Sequence, residues 1–145
     1  VVSRFMDILK GSALITGTTY TVERDPAYRA KIPSFPLNDL IMENARAFGA
    51  PRLAPPREKT GSTDFGNVMY EVPGSCIRVA FVPAGTPAHS EGYVKAGKSE
   101  DAHMAVRYGA EILAGTCLDI LERPELLTEI KEDFARQKEL MGKDV

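Results

Sequence analysis

The chain has little that would crosslink it or place it in a membrane. It contains two cysteines and no tryptophan in 145 residues, and Cys76 and Cys117 are too few and too far apart for a disulfide scaffold. Apolar neighbours flank both residues, which predicts buried free thiols in a reducing cytoplasm. No apolar run approaches the roughly 18 residues of a membrane span, so the sequence predicts no membrane contact.

Charge of neither sign dominates the chain. The 18 basic and 20 acidic residues give a net charge of -2 and are mixed along the sequence, without the basic face that nucleic-acid-binding proteins present. Hydrophobic residues make up 43% of the chain, which is typical of a globular protein with a core. The first residue is Val1, with neither an initiator methionine nor a signal-peptide pattern, and this predicts a piece of a longer parent protein.

A mixture of helical and strand-like patterns predicts an α/β fold. Residues 18–24 and 76–82 are rich in β-branched and aromatic residues and are predicted strands, the second buried on both faces. Ser99 is placed to cap the longest helix and Pro124 to begin the last one. Apolar spacing predicts helices over residues 2–12, 37–48, 99–122 and 124–140.

A polar loop follows the second predicted strand and contains His89. Sites in open α/β sheets collect at the carboxyl ends of strands. A neutral imidazole nitrogen suits zinc, and Glu91 is near enough in sequence to orient it. On spacing alone, a single loop histidine is more often solvent-facing or hydrogen-bonded, so the ligand interpretation stays open here. His103, on the long helix, is predicted to be a surface or packing residue.

A second loop, Gly61, Ser62, Thr63 and Asp64, brings backbone amides and two hydroxyls together. Such a loop could cradle a carboxylate. The alternative is that Thr63 or Asp64 caps a short helix that begins at Phe65, and on the residues alone the cap is favoured.

Both loops resemble the aminobenzoyl-glutamate hydrolase group. The resemblance lies in Gly-Ser-Thr-Asp-Phe-Gly-Asn-Val at 61–68, Val-Pro-Gly at 72–74, and His-Ser-Glu-Gly-Tyr at 89–93 followed by Ala-Gly at 96–97. That group belongs to the co-catalytic zinc metallopeptidases, with the aminoacylases, acetylornithine deacetylase and glutamate carboxypeptidase. The resemblance implies that residues 26–145 are the carboxy-terminal part of an α/β sandwich catalytic domain. Residues 1–25 would be the last helix and strand of an inserted lid, or dimerisation, domain.

The resemblance also implies roles for individual residues. His89 would be a metal ligand, while Gly61, Ser62 and Thr63 would hold the carboxylate end of a small amide substrate. Asp64 and Glu91 would orient these groups. The parent would be a cytoplasmic homodimer that binds two zinc ions, with manganese or cobalt as alternatives, and these ions would activate a water and polarise the amide carbonyl.

The catalytic part of that pattern is missing from the sequence. The family builds its site from a His-x-Asp motif, a bridging aspartate and a Glu-Glu pair, and neither His-x-Asp nor Glu-Glu occurs here. A hydrolytic zinc ion needs about three protein ligands and a base for the water. We therefore expect no catalytic residue in this chain and no activity from it alone. The alternatives are a non-catalytic remnant and a small α/β anion-binding module in which His89 is incidental.

Overall fold

The computed structural model describes residues 1–55, 61 and 63–142. Across that part of the chain there are six helices and no strand. The helices are α1 (Val2–Thr16), α2 (Phe35–Ala47), α3 (Phe65–Val68), α4 (Glu91–Ala96), α5 (Glu100–Glu122) and α6 (Pro124–Gly142).

The prediction of an α/β fold is wrong for this chain. Residues 18–24 and 76–82 have no regular secondary structure. Among the described residues, the backbone bond recorded for them joins the Thr18 N–H to the Ala13 carbonyl at the end of α1, and it is not part of a strand ladder. A strand exists only through the ladder bonds that it makes with a neighbour, and these two segments do not pair. Residues 76–81 nevertheless alternate between exposed and partly buried, the pattern of one face packed on the protein and one face in water.

The two cysteines are free and exposed, so the prediction of buried thiols is also wrong. Cys76 lies on the outer face of the alternating 76–81 segment, and Cys117 lies on a face of α5 that no other described element covers. Apolar neighbours in sequence did not predict burial, because in both places neighbouring residues lie on different sides of the segment, and only one side packs against the protein.

The local signals for helices were more reliable. The Ser99 hydroxyl accepts a hydrogen bond from the Ala102 N–H at 3.2 Å, and Pro124 begins α6, as predicted. Gly49 follows α2 with a φ of 74°, a left-handed conformation that glycine adopts without strain. Helix α1 is longer than predicted, because it continues through Gly11 and ends before the left-handed Gly17.

The core lies where α2, α5 and α6 pack on one another. Ile41, Ala45 and Ile112 are its buried centre, and Ile77 packs against it from the 76–82 segment. Gly115 of α5 packs against side chains of α2, where a Cβ atom would lie 2.5 Å from Asn44 Oδ1 and 2.6 Å from the Phe48 ring. A larger residue at position 115 would therefore force these side chains to shift.

Two carboxylates connect α2 with the other two helices of the core, α5 and α6. Asp119 on α5 accepts a 2.7 Å hydrogen bond from Asn44 on α2. That bond, followed by one from Arg123, holds the pKa of Asp119 below its ordinary value. Asp133 on α6 is 2% exposed and accepts a 3.0 Å bond from the Phe35 N–H at the start of α2.

Helix α1 has no buried residue, and most of residues 1–30 are exposed. The domain boundary near residue 25 stays a prediction. None of the helices in the described residues is both long and apolar enough to cross a membrane.

Candidate functional site

The loop before α3 caps that helix, which is the alternative that the residues alone favoured. The Thr63 hydroxyl accepts a hydrogen bond from the Phe65 N–H at 3.3 Å, while Asp64 makes no side-chain cap bond. Thr63 is partly buried, and Gly61 and Asp64 are exposed. Ser62, the third predicted substrate-binding residue, lies outside the described residues.

Helix α3 is held by an unusually close backbone approach. Gly66 is buried, and a Cβ atom at that position would lie 2.1 Å from the carbonyl oxygen of Arg29. The next residue, Asn67, accepts a 2.7 Å hydrogen bond from the Arg29 N–H, and the Arg29 guanidinium stacks over the Tyr70 ring at 4.7 Å. Gly66 and Asn67 of the 61–68 motif therefore position the loop and are not free to contact a substrate.

Arg78 lies next to this loop. Its Nη2 atom would be 4.0 Å from a Cβ built on Gly61, and the residue is exposed. No ion pair of Arg78 occurs among the described residues. A guanidinium in this position is a suitable partner for a carboxylate, because its two parallel N–H groups match the two oxygens. The sequence signal was a charged residue in an otherwise apolar segment.

His89 lies in the tight loop between residues 83 and 90, which is closed by Thr86. The Thr86 N–H and hydroxyl both donate to the Pro83 carbonyl, at 3.2 and 2.8 Å. His89 has a φ of 57°, the only positive φ of a non-glycine residue in the described chain. Left-handed backbone in a residue other than glycine costs energy and often occurs where a side chain is aimed at a ligand. The imidazole is exposed and has no hydrogen-bond partner among the described residues.

The residues after His89 anchor its loop to the rest of the fold. Tyr93 packs edge-to-face on Phe81, with ring centroids 5.3 Å apart. A Cβ at Gly92 would lie 3.0 Å from the Thr86 methyl group. Glu91, which was predicted to orient His89, instead forms an exposed ion pair with Lys95 at 3.2 Å, so the structure does not bring it to His89.

The residues described here do not fit a complete metal site. No group of three or more His, Cys, Asp or Glu residues converges in the described part of the chain, and a zinc ion normally has four ligands. His103 lines a shallow apolar groove on α5, with Val79 and Phe81 as neighbours, as a packing residue would. Both histidines, His89 and His103, are exposed and lie apart from any cluster of possible ligands in the described residues.

Comparison with known sequences identifies relatives of this chain. No family model matches the chain. It is similar to the Xaa-Arg dipeptidase of Homo sapiens, with 35% identity over 133 residues that cover 88% of this chain and 30% of that protein. The Xaa-Arg dipeptidase of Mus musculus is 34% identical over 134 residues with the same coverage. The chain therefore spans less than a third of the length of the relatives that it matches.

Both relatives are named as dipeptidases, which agrees with the resemblance of the two loops to zinc amidohydrolases and peptidases. The comparison does not distinguish the aminobenzoyl-glutamate hydrolase group within them. The chain is thus related to peptidases over most of its length.

Proposed function

We propose that this chain is part of a metal-dependent hydrolase that cleaves the amide bond of a dipeptide or another small N-acyl amino acid. The observation that carries the proposal is the 35% identity to a dipeptidase over 88% of the chain. Aminobenzoyl-glutamate belongs to the same substrate class, because it too is an N-acyl amino acid with a free α-carboxylate. The proposed protein is a cytoplasmic homodimer in its full-length form.

The loop before α3 is proposed to bind the substrate. Thr63 is fixed by its bond to the Phe65 N–H, and Arg78 lies beside Gly61. We assign the carboxylate of the substrate to the Arg78 guanidinium and the backbone around Gly61, with Ser62 as a further contact. Charge-assisted bonds of this kind are about twice as strong as neutral ones, so Arg78 is proposed as the strongest contact that this loop makes with the carboxylate.

His89 is proposed as one metal ligand in the full-length protein. Its exposed imidazole and left-handed backbone support this role, since both keep the ring available for a ligand. Zinc is the proposed metal, with manganese or cobalt as alternatives. The remaining ligands and the general base are assigned to residues that this sequence does not contain, so the chain alone is expected to be inactive.

The experiment compares His89→Ala with His103→Ala in the full-length protein. His89→Ala should reduce the bound metal by about one ion per chain, as measured by elemental analysis, and should lower kcat at least about 100-fold. His103→Ala should change neither metal content nor kcat. Full metal content in the His89 variant would refute the ligand assignment independently of activity.

A second candidate function is supported by the absence of a metal cluster in the described residues and by the place of Arg78. In an anion-binding module, the loop at Gly61 and Thr63 would bind a carboxylate without metal. An N-acetyl amino acid titrated into the isolated 145-residue chain separates the two candidates. Binding that Arg78→Gln abolishes and that a chelator leaves unchanged would favour the module, whereas no binding would favour a site that needs the rest of the hydrolase.

A further inference from the structure

Helix α3 is too short to hold its own position. It has four residues, and a helix of that length is not stable in water without contacts to other segments. The proposed substrate loop, Gly61 and Thr63, ends on this helix, because the Thr63 hydroxyl accepts the Phe65 N–H. The place of the substrate loop therefore follows from whatever fixes α3.

Arg29 contacts this part of the chain with its backbone and its side chain. Its N–H donates to Asn67 Oδ1 at 2.7 Å, and its carbonyl oxygen lies where a Cβ on Gly66 would come within 2.1 Å. Its guanidinium lies over the Tyr70 ring, 4.7 Å from the centroid. These three contacts all fall within residues 66–70, so α3 cannot move relative to Arg29 without disturbing at least one of them.

The chain after Arg29 connects this contact to the core. Residues 18–30 are exposed, whereas Ile32 is only 1% exposed. The Phe35 N–H then donates to Asp133 of α6. The short segment that begins at Arg29 is therefore fixed at both of its ends, at α3 and at the junction of α2 with α6, and it relates the position of α3 to the core.

The end of α3 farther from the substrate loop has attachments of its own. Met69 is buried and packs on Gly74, where a Cβ atom would lie 2.9 Å from the Met69 side chain. Lys138 of α6 donates a hydrogen bond to the Tyr70 carbonyl. Loss of the Arg29 contact should therefore let α3 pivot about its far end while the chain stays folded, and the pivot would move the end that carries the substrate loop.

From these contacts we infer that Arg29 is a positioning residue for the substrate loop and acts through α3. It sets the place of Gly61 relative to Arg78, whose Nη2 atom would be 4.0 Å from a Cβ on Gly61. Hydrogen bonds to a carboxylate weaken steeply with distance and misalignment, so a shift of the loop lowers the affinity for the substrate. The inference rests on the proposed function, and it concerns substrate binding and not the metal at His89.

Steady-state kinetics of the full-length protein test this role, with alanyl dipeptides and aminobenzoyl-glutamate as substrates. Asn67→Ala removes the acceptor of the Arg29 N–H, and it should raise KM about tenfold and change kcat less than about twofold. Asn67→Asp keeps an acceptor oxygen and should restore KM to within about threefold of native. Arg29→Ala removes only the contact with the Tyr70 ring and should raise KM about threefold. Dipeptide amides, which lack the carboxylate, should show the same kcat/KM in the native protein and in Asn67→Ala.

Asn44→Ala is the matched control. It also removes a 2.7 Å hydrogen bond of an asparagine side chain, the bond from Asn44 to Asp119 between α2 and α5, but it leaves α3 untouched. It should lower the Tm at least as much as Asn67→Ala does and leave KM within about twofold of native. An equal rise of KM in both variants, or an unchanged KM in Asn67→Ala, would overturn the inference.

Amide hydrogen exchange of the 145-residue chain, followed by NMR, tests the attachment without a substrate. The N–H groups of Gly66, Asn67 and Met69 donate to carbonyls of residues 63–65, and in Asn67→Ala they should exchange about tenfold faster, while the amides of α5 keep their native rates. Unchanged exchange at these amides would overturn the inference and leave the proposed function standing. A native full-length protein that hydrolyses none of the substrates would instead refute the proposed function, and with it the role of Arg29 in substrate binding.

Discussion

Replacing Asp133 with alanine should destabilise the chain more than any other single change in a charged residue. Asp133 lies on α6, and its buried carboxylate accepts a hydrogen bond from the Phe35 N–H at the start of α2. Its other oxygen accepts from Gln137 at 3.3 Å and from Arg136. Ser34, the residue at the N-cap position, makes no cap bond, so the capping of α2 comes from a residue 98 positions away in sequence.

The magnitude follows from these three bonds. Loss of an N-cap acceptor costs about 1 kcal/mol, and a buried hydrogen bond to a charged group contributes about 1.5–3 kcal/mol. The Arg136 side chain is 66% exposed, so its ion pair is screened and adds less than about 1 kcal/mol. We expect Asp133→Ala to lower the free energy of unfolding by about 2–3 kcal/mol, and the Tm by about 5–10 °C.

Urea denaturation followed by circular dichroism measures this loss, with Arg136→Ala as the matched control. The control removes the ion pair and leaves the bond to Phe35, so it should cost less than about 1 kcal/mol. Asp133→Asn keeps an acceptor of the same size and should fall between the two. Equal losses in Asp133→Ala and Arg136→Ala would refute the reasoning, because the ion pair would then be the main contribution.

The same carboxylate predicts an acid dependence of stability. Burial raises the pKa of Asp133, but the bonds from Phe35, Gln137 and Arg136 together outweigh it and hold the pKa below its ordinary value. Between the folded and unfolded pKa values the unfolded state binds more protons, so this contribution is complete above about pH 4–5 and is lost as the pH falls further. Stability of the native chain should therefore decline more steeply below about pH 4 than that of Asp133→Asn.

Three further substitutions test the packing, each by urea denaturation. Ser34→Ala should be neutral or slightly stabilising, against the usual cost of about 1 kcal/mol at an N-cap, because the buried Ser34 hydroxyl has no partner in the described chain; a loss of that size would contradict its unpaired state. Gly66→Ala should cost about 3 kcal/mol, since the new Cβ would fall 2.1 Å from the Arg29 carbonyl oxygen. A neutral result there would show that the approach is not close. Gly115→Ala should cost about 1–3 kcal/mol, whereas Gly109→Ala on the same helix, where nothing lies within 4 Å, should stabilise by about 0.5–1 kcal/mol; the same sign for both would refute the steric explanation.

The sequence predicted the long helices well because their signals are local. The cap at Ser99 and the proline that begins α6 act within one helical turn, and apolar spacing predicted the extents of α2, α5 and α6 closely. Asp133 was missed for the opposite reason. It follows Glu132 in a strongly charged helix, and adjacent acidic residues in such a helix are ordinarily exposed to solvent. Only the approach of α2, which the sequence does not encode locally, buries one member of the pair.

The predicted strands failed because β-structure is a property of pairs. Residues 76–82 have the composition of a strand. Over 76–81, exposed and partly buried residues alternate, so every second side chain packs against the protein. Backbone hydrogen bonds to a second strand are needed before a sheet exists, and composition cannot supply that neighbour. The same alternation placed Cys76 outside, which an average over its apolar neighbours could not predict.

The motif residues divide into those that pack and those that remain available. Gly66 is required by its approach to the Arg29 carbonyl, and a Cβ at Gly92 would make a tight contact of 3.0 Å with the Thr86 methyl group. Their presence in a family-like pattern is explained by the fold alone and gives no evidence about chemistry. Arg78 and His89 differ, because both are exposed charged or polar side chains without a partner among the described residues, and His89 also has a strained backbone. A structural role explains neither of them, so their substitutions distinguish a hydrolase component from a folded remnant, whereas substitutions of the motif glycines would impair both.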